Sequence, residues 1–490
     1  MTYLIELDAL FSLIMIIVYA LYSLKAVYGP STSTGSVSGS YASLYLSDVF
    51  FFASLTPLLI VAGYYVEGSQ AATAGFASLS DLFDFISLNP IDVLLACLLV
   101  VILPSFASFE SVLLLLFAFV GSYFMLHSVD LLTFYIALEA QNFCFLVLCG
   151  LGSSSASLGS HSPASGGMKS SGKAGLMTGK DSSSFSVEAT LKYFLLSAFS
   201  SGVILFWFST IYLQTGLSVL SFKSVMATCY AADDGALDTF YTFQILSAMM
   251  FKLGAAPLHL WVVQIYSSVK RSLLMYISTV PKLALFGFWV GSFQGIWTDY
   301  SIVLFALFSL VLGSLGAYGQ PSLRSLFAYS TVNEIGLMLM AIETAGFHSL
   351  FQHLGIYIIS QLLLWNMYDK RFFTVLAVSL AGLPPLAGFF GKSWIFWHVS
   401  SHNLYTVLIV ALFCAGISLV YYLRVLRLFW NSSTGQSTRV IVYNSLTRSY
   451  STRLYSHTGF VGYDTRVALT SLCLVLLVVL PLFLIKPFVL

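Results

Sequence analysis

Long apolar runs, each about as long as a membrane-spanning helix, recur along the chain and are separated by short polar stretches. A helix needs about 20 apolar residues to cross the hydrocarbon core of a bilayer. The runs are continuously apolar, whereas the strands of a membrane β-barrel alternate between apolar and polar residues. The pattern therefore predicts an all-α polytopic membrane protein with about fourteen transmembrane helices, here called spans 1 to 14. The spans cover approximately residues 3–28, 44–65, 85–103, 110–126, 131–150, 188–212, 240–263, 273–293, 302–318, 324–342, 350–365, 372–396, 404–430 and 467–485.

Composition agrees with a membrane protein and excludes several other classes. Only 8% of the 490 residues are charged and 58% are apolar, whereas about 25% of the residues of a soluble domain are charged. The net charge of +1 gives no basic surface for nucleic acid. The six cysteines form no C-x-x-C pair, so we expect no zinc or iron–sulfur site in this chain.

The positive charges are divided unequally between the two faces of the membrane. When the loops are assigned alternately to the two faces, one face receives fifteen Lys and Arg residues and the other only two. The positive-inside rule makes the rich face the cytoplasm or the matrix. Both termini are then expected on the opposite face. Two polar segments, 153–186 and 432–464, are predicted to be loops on the rich face.

Ionisable residues inside the predicted spans are the candidates for function. A charged side chain at the bilayer centre costs about 2.5–3.5 kcal/mol on insertion scales, so such residues usually pair inside the bundle and mark ion paths. Besides five principal candidates, the spans contain Lys192, one turn inside span 6, where it can pair with Glu188, and His259, near a proline in span 7. The five principal candidates are Glu139, Lys252, Lys282, Glu334 and Lys392, and the two further ones are Lys192 and His259.

Prolines predict that two of the charged spans are broken. Pro257 removes the helical partner of the Leu253 carbonyl, and the Pro384-Pro385 pair removes those of Leu380 and Ala381. Interrupted spanning helices occur where they are buried in protein or line a wet cavity.

The breaks and charges repeat with a period of five spans. Spans 4–8 and 9–13 each carry a Glu in their second member and a Lys beside a break in their fourth. Five spans invert the topology, so the pattern predicts an inverted repeat, as in transporters with a midplane ion site. We divide the chain into an N-terminal segment, a first repeat, a second repeat and a C-terminal polar loop with one helix, at residues 1–109, 110–295, 296–431 and 432–490.

Four segments resemble subunit 2 of NADH:ubiquinone oxidoreductase, the antiporter-like subunit family of respiratory complex I. They are residues 186–202, 251–261 (FKLGAAPLHLW), 277–282 (ISTVPK) and 380–392 (LAGLPPLAGFFGK). The resemblance extends from about span 4 to span 13. It implies a proton-translocating subunit that couples NADH–quinone oxidoreduction to proton pumping.

The resemblance also implies roles for individual residues. Glu139 and Lys252 would form the charged pair of the first half-channel, Lys282 the relay between the halves, and Lys392 the exit-side lysine. The family commonly has a histidine where this chain has Glu334, so Glu334 or a water chain would carry protons there.

The same resemblance sets the expected surroundings. NADH, FMN, iron–sulfur clusters and ubiquinone would be used by other subunits, and this chain would hold no cofactor. Its partners would be neighbouring membrane subunits of complex I and lipids, with no nucleic acid. The Phe- and Tyr-rich, Lys-poor composition favours the mitochondrial inner membrane over a bacterial membrane, with both termini in the intermembrane space.

Three other functions are compatible with the sequence. A cation/proton antiporter subunit of the Mrp type shares this fold and these lysines. An unrelated secondary transporter would need a solute site, which the sequence does not reveal. A structural membrane spacer would use the same charges as inert ion pairs.

Overall fold

A computed structural model describes residues 90–102, 106, 109–128, 130–154, 179–215, 246–292, 300–366, 370–384 and 386–431. Spans 1, 2 and 14 and the polar segment 432–464 lie outside these residues. All regular elements of the described residues are α-helices. In chain order they are α1 Pro90–Ile102, α2 Phe109–Leu126, α3 Leu131–Ser154, α4 Gly179–Thr215, α5 246–253, α6 Leu260–Ser268, α7 Arg271–Ser292, α8 Tyr300–Gly319, α9 Leu323–Glu343, α10 Phe347–Asn366, α11 Lys370–Ala381, α12 Ala387–Ser401 and α13 Tyr405–Asn431.

The predicted loop 153–186 is wrong at both of its ends. Residues 153–154 belong to α3 and residues 179–186 belong to α4. Hydropathy detects only the part of a helix that lies in lipid. A helix that continues into water still satisfies its own backbone hydrogen bonds, and serine costs only a few tenths of a kcal/mol there.

The two breaks predicted from proline are confirmed, and the helices before them, α5 and α11, end in the same way. Gly254 and Gly382 follow α5 and α11 with φ of +79° and +80°, in the left-handed region that glycine adopts without strain. The next residue donates its N–H five residues back in each case, from Ala255 to Met250 and from Leu383 to Val378. This is the Schellman ending of a helix, and it agrees with the inverted repeat, which itself stays a prediction.

Helices α7 and α9, which carry Lys282 and Glu334, are the most buried of the long apolar helices that the structure describes. Among the described residues, six helices are long and apolar enough to cross a membrane. The apolar stretches of α7 and α9 are 89% and 94% buried, whereas that of α13 is 33% buried and faces outward. Helix α10 packs against α7, α9, α11 and α12 and so lies among the charged helices.

Candidate functional site

Glu139, which is partly buried, and Lys252, which is buried, form the first ion pair of the row. The ammonium nitrogen Nζ of Lys252 lies 3.5 Å from Oε1 of Glu139. This nitrogen is buried and makes no hydrogen bond to any described residue. The pair is therefore close enough for Coulomb attraction but too loose to satisfy the ammonium protons, which leaves them available to water.

Side chains from two helices hold the Glu139 carboxylate in place. Asn142, one turn further along α3, donates to Oε1 of Glu139 at 3.2 Å. Tyr193 of α4 donates its hydroxyl to the Asn142 carbonyl oxygen at 3.1 Å. The carboxylate is thus oriented by a chain of hydrogen bonds that the sequence pattern alone did not reveal.

A cavity connects Lys252 to Lys282. Both lysines line it, together with Gln141, Tyr276 and Pro281. Its volume, about 40 Å³ counted at the centres of water molecules, exceeds the roughly 10–15 Å³ that one water needs. The lining is mainly apolar, and the two lysines, Gln141 and Tyr276 supply the polar atoms that such waters require. Waters in this cavity can therefore bridge the two ammonium groups.

Lys282 has a hydroxyl partner instead of a carboxylate. Its Nζ donates to the hydroxyl oxygen of Tyr357 in α10 at 2.6 Å, and its side chain is buried. No described carboxylate lies within ion-pair distance of this nitrogen. Because a buried ammonium needs compensation, Lys282 is the lysine of the row whose charge is least balanced, and so the one best placed to release its proton.

Glu334 forms a buried triad in the second half of the chain. Its Oε1 lies 2.8 Å from Nζ of Lys392 in α12, and its Oε2 lies 2.9 Å from Nε2 of His353 in α10. Lys392 also donates to the carbonyl of Leu380 at 2.9 Å. This is one of the two carbonyls that the proline pair was predicted to free, so the break directly supplies a ligand for the lysine.

Two residues of this site were not predicted from the sequence, His353 and Tyr357. Both lie on α10 and both are buried, with exposed fractions of 3% and 2%. They are four residues apart, so they share one face of the helix. The available signal was a histidine inside an apolar span, but span 11 has no Lys, Asp or Glu that would mark it as a charged span.

The two further candidates lie apart from the row. Lys192 is half exposed and forms a 2.6 Å pair with Glu188 one turn earlier, as its spacing indicated. His259 is buried beside the first break, with its ring centroid 5.5 Å from that of Tyr329. It does not line the cavity between Lys252 and Lys282.

Taken together, the site is a row of proton-binding groups with short gaps. An ion pair, a cavity large enough for water, a lysine–tyrosine bond and a lysine–glutamate–histidine triad lie within the bundle. Groups of this kind can exchange protons when their charges or distances change. The described residues contain no cluster of His, Cys, Asp and Glu suited to a metal ion.

Comparison with known proteins places the chain in a family. It is 49% identical over 398 residues to NADH-ubiquinone oxidoreductase chain 2 of Chlamydomonas reinhardtii, which covers 81% of this chain and 87% of that protein. The chain belongs to the NADH-ubiquinone oxidoreductase chain 2 family. A family profile described as NADH:quinone oxidoreductase/Mrp antiporter, transmembrane, matches residues 167–370.

More distant relatives of this chain 2 family member extend to bacteria. NADH-quinone oxidoreductase subunit N 1 of Acidiphilium cryptum is 29% identical, covering 66% of this chain and 68% of that protein. A chain of respiratory complex I from Thermus thermophilus superposes with a TM-score of 0.65 at 22% identity, over 96% of this chain and 98% of that one. A chain of the Mrp complex from Dietzia sp. gives the same TM-score at 18% identity, over 98% and 96% of the two chains. The two structures establish the fold, and the predicted family is confirmed.

Proposed function

We propose that this chain 2 family member pumps protons in the membrane arm of complex I through its buried row of lysines and glutamates. The observation that carries the proposal is the connection between Lys252 and Lys282 through a cavity large enough for water. Structural ion pairs would not require a water-sized cavity between two ammonium groups, whereas proton transfer between them would.

The geometry suggests how protons would move along the row. Attraction to Glu139 holds Lys252 charged across 3.5 Å. When that pair loosens, desolvation disfavours the ammonium form, and the proton passes through cavity water to Lys282. From there it moves to the second half and leaves through the site formed by Glu334 and Lys392.

The energy for this movement would come from other subunits of the complex. They would bind NADH, FMN, the iron–sulfur clusters and ubiquinone and perform the redox chemistry. The partners of this chain would be the neighbouring antiporter-like and small membrane subunits, together with lipids. Its outward apolar side chains, such as Phe199 and Phe413, are 74% and 70% exposed and suit both kinds of neighbour.

We place the protein in the mitochondrial inner membrane. The lysine- and arginine-rich face would be the matrix side, and both termini would lie in the intermembrane space. The similarity to an NADH-ubiquinone oxidoreductase chain 2 of Chlamydomonas and the Lys-poor composition support this assignment.

An antiporter subunit of the Mrp type is the second candidate, because the Dietzia chain shares the fold over nearly the full length. Co-purification in mild detergent separates the two functions. A complex I subunit co-purifies with flavin and iron–sulfur proteins, whereas an Mrp-type subunit does not. The Lys252→Ala variant described next distinguishes a proton relay from a structural spacer.

The variant Lys252→Ala tests the relay directly. Removing the first lysine should lower NADH–quinone turnover coupled to proton movement by about a hundredfold or more, the lower end of the range for loss of a positioned proton-transfer group. Turnover and proton uptake are measured in membrane vesicles, and native gels confirm that the complex is assembled.

Two comparisons complete this experiment. NADH oxidation by an artificial acceptor, which bypasses quinone, should be unchanged and serves as the control. Normal pumping in an assembled Lys252→Ala complex would refute the relay and favour the structural spacer.

A further inference from the structure

Helix α10 packs among the helices that carry the last three ionisable residues of the row. It packs against α7, α9 and α12, which carry Lys282, Glu334 and Lys392. It has no Lys, Asp or Glu itself. Its polar contribution to the row is the pair formed by His353 and Tyr357, one helical turn apart.

Tyr357 contacts Lys282 and lies one helical turn from His353 of the triad. Its hydroxyl oxygen accepts the 2.6 Å bond from Lys282. His353, one helical turn earlier on the same face of α10, contacts Glu334 at 2.9 Å, so Tyr357 lies next to the triad. A phenol hydroxyl can accept one proton while it donates another. Tyr357 therefore has the position and the chemistry of a bridge.

His353 occupies the far side of Glu334. Its Nε2 faces the carboxylate at 2.9 Å, and its Nδ1 is buried without a hydrogen-bond partner among the described residues. Gly391 packs closely against this nitrogen, since a Cβ added there would lie only 2.9 Å from Nδ1. An imidazole with one nitrogen on a carboxylate and the other free can take a proton on one side and release it on the other.

We propose that Tyr357 and His353 are proton-carrying residues that link Lys282 to the outlet of the second half. In the first step an N–H bond of the Lys282 ammonium breaks and a new O–H bond forms on Tyr357. The original hydroxyl proton of Tyr357 passes to the Glu334 carboxylate, directly or through one water, so the phenol stays neutral. In the second step Glu334 protonates Nε2 of His353, and Nδ1 releases its proton to a water molecule.

The two residues also give the path a direction. Helix α10 begins at Phe347, an end that the positive-inside rule predicts to lie on the face with few positive charges. At 1.5 Å per residue, Tyr357 lies about 15 Å inside this end and His353 about 9 Å inside it. The step from one to the other thus moves a proton toward the positively poor face, the outlet side of the proposed pump.

Two variants with a matched control test this inference, which rests on the proposed function. Tyr357→Phe removes only the hydroxyl, and His353→Gln keeps a donor to Glu334 but cannot carry a proton. Ser360→Ala is the control, because Ser360 is a buried polar residue of the same helix that bonds only its own helix, at the Tyr357 carbonyl. All three are made in the full complex, and native gels measure assembly.

We expect each test variant to lower coupled NADH–quinone turnover about tenfold or more. The ratio of turnover in H₂O to that in D₂O should rise, since proton transfer becomes rate-limiting, a change that a purely structural defect does not produce. Ser360→Ala should match the unmodified complex in both measurements. If one of the two variants does not assemble, the other decides by the same criteria.

The outcomes separate this inference from the proposed function. Assembled Tyr357→Phe and His353→Gln complexes with normal turnover and a normal isotope ratio would overturn it. If Lys252→Ala and Lys282→Ala still abolish pumping, only the path through α10 fails. If the lysine variants also pump normally, the proposed function fails as well.

Discussion

Glu334 is the residue at which the resemblance to complex I subunit 2 implies a departure from the family pattern. A carboxylate stands where a histidine is common, and the structure places a histidine, His353, 2.9 Å from it on the neighbouring helix. The same carboxylate balances Lys392 at 2.8 Å. The exchange therefore keeps an imidazole in the site while it adds a negative charge that compensates a buried ammonium.

Replacing Glu334 with Gln tests this charge with little change in shape. Lys392 would lose its counter-charge in a dry environment, so its ammonium form becomes costly. We expect coupled turnover to fall by about tenfold or more, measured as proton uptake per NADH oxidised in vesicles.

Glu188→Gln provides the control for this prediction. The Glu188–Lys192 pair has the same charges but is half exposed, and such pairs are worth only about 0.3–0.5 kcal/mol. Turnover should therefore stay unchanged in this variant. Unchanged pumping in Glu334→Gln would make the triad structural.

At the scale of elements, the two broken helices place the lysines. Each first half ends on a glycine with positive φ, and a side chain of the second half then bonds a carbonyl near that end. Trp261 donates to the Phe251 carbonyl at 2.9 Å, and Lys392 donates to the Leu380 carbonyl at 2.9 Å. The breaks thus create acceptors inside the bundle, where an intact helix would have none.

Gly254→Ala should destabilise the first break. A side chain in the left-handed region costs about 1–2 kcal/mol, and the new Cβ would lie 2.4 Å from Val262. We expect a lower thermal midpoint of the assembled complex, measured by calorimetry or by loss of activity on heating.

Gly355→Ala is the matched control for that variant. Gly355 is helical, and a Cβ there meets nothing within 4 Å, so alanine should leave stability unchanged or raise it by up to about 1 kcal/mol. Equal stability of the two variants would show that the glycine ending of α5 is not required.

At the scale of the whole molecule, the positive charges differ between the two faces of the membrane, and burial differs between inner and outer helices. Across the membrane, fifteen Lys and Arg residues are predicted on one face and two on the other. Within the membrane, α7 and α9 lie inside and α13 lies at the outside. Lys282 and Glu334 lie on these two inner helices and are themselves buried.

The predicted orientation can be tested with an epitope tag inserted between residues 165 and 166, in the segment assigned to the positively rich face. We expect protease to cleave the tag in inside-out vesicles and to leave it intact in right-side-out ones, because the positive-inside rule places this face in the matrix. A tag at the C-terminus should give the opposite result. Cleavage of the internal tag from the intermembrane-space side would reverse the topology.

Hydropathy and charge, both properties of the sequence, determined the class of protein, most of the helices and the five principal ionisable residues. Lipid permits so few ionisable residues within a span that each of them is conspicuous in the sequence. The prolines likewise predicted both breaks. The sequence could not determine which helices touch. Only the tertiary structure brings α10 against α7, α9 and α12 and so joins His353 and Tyr357 to the row. Their neutral side chains are not rare enough in a span to stand out, and their importance comes from packing between helices distant in sequence.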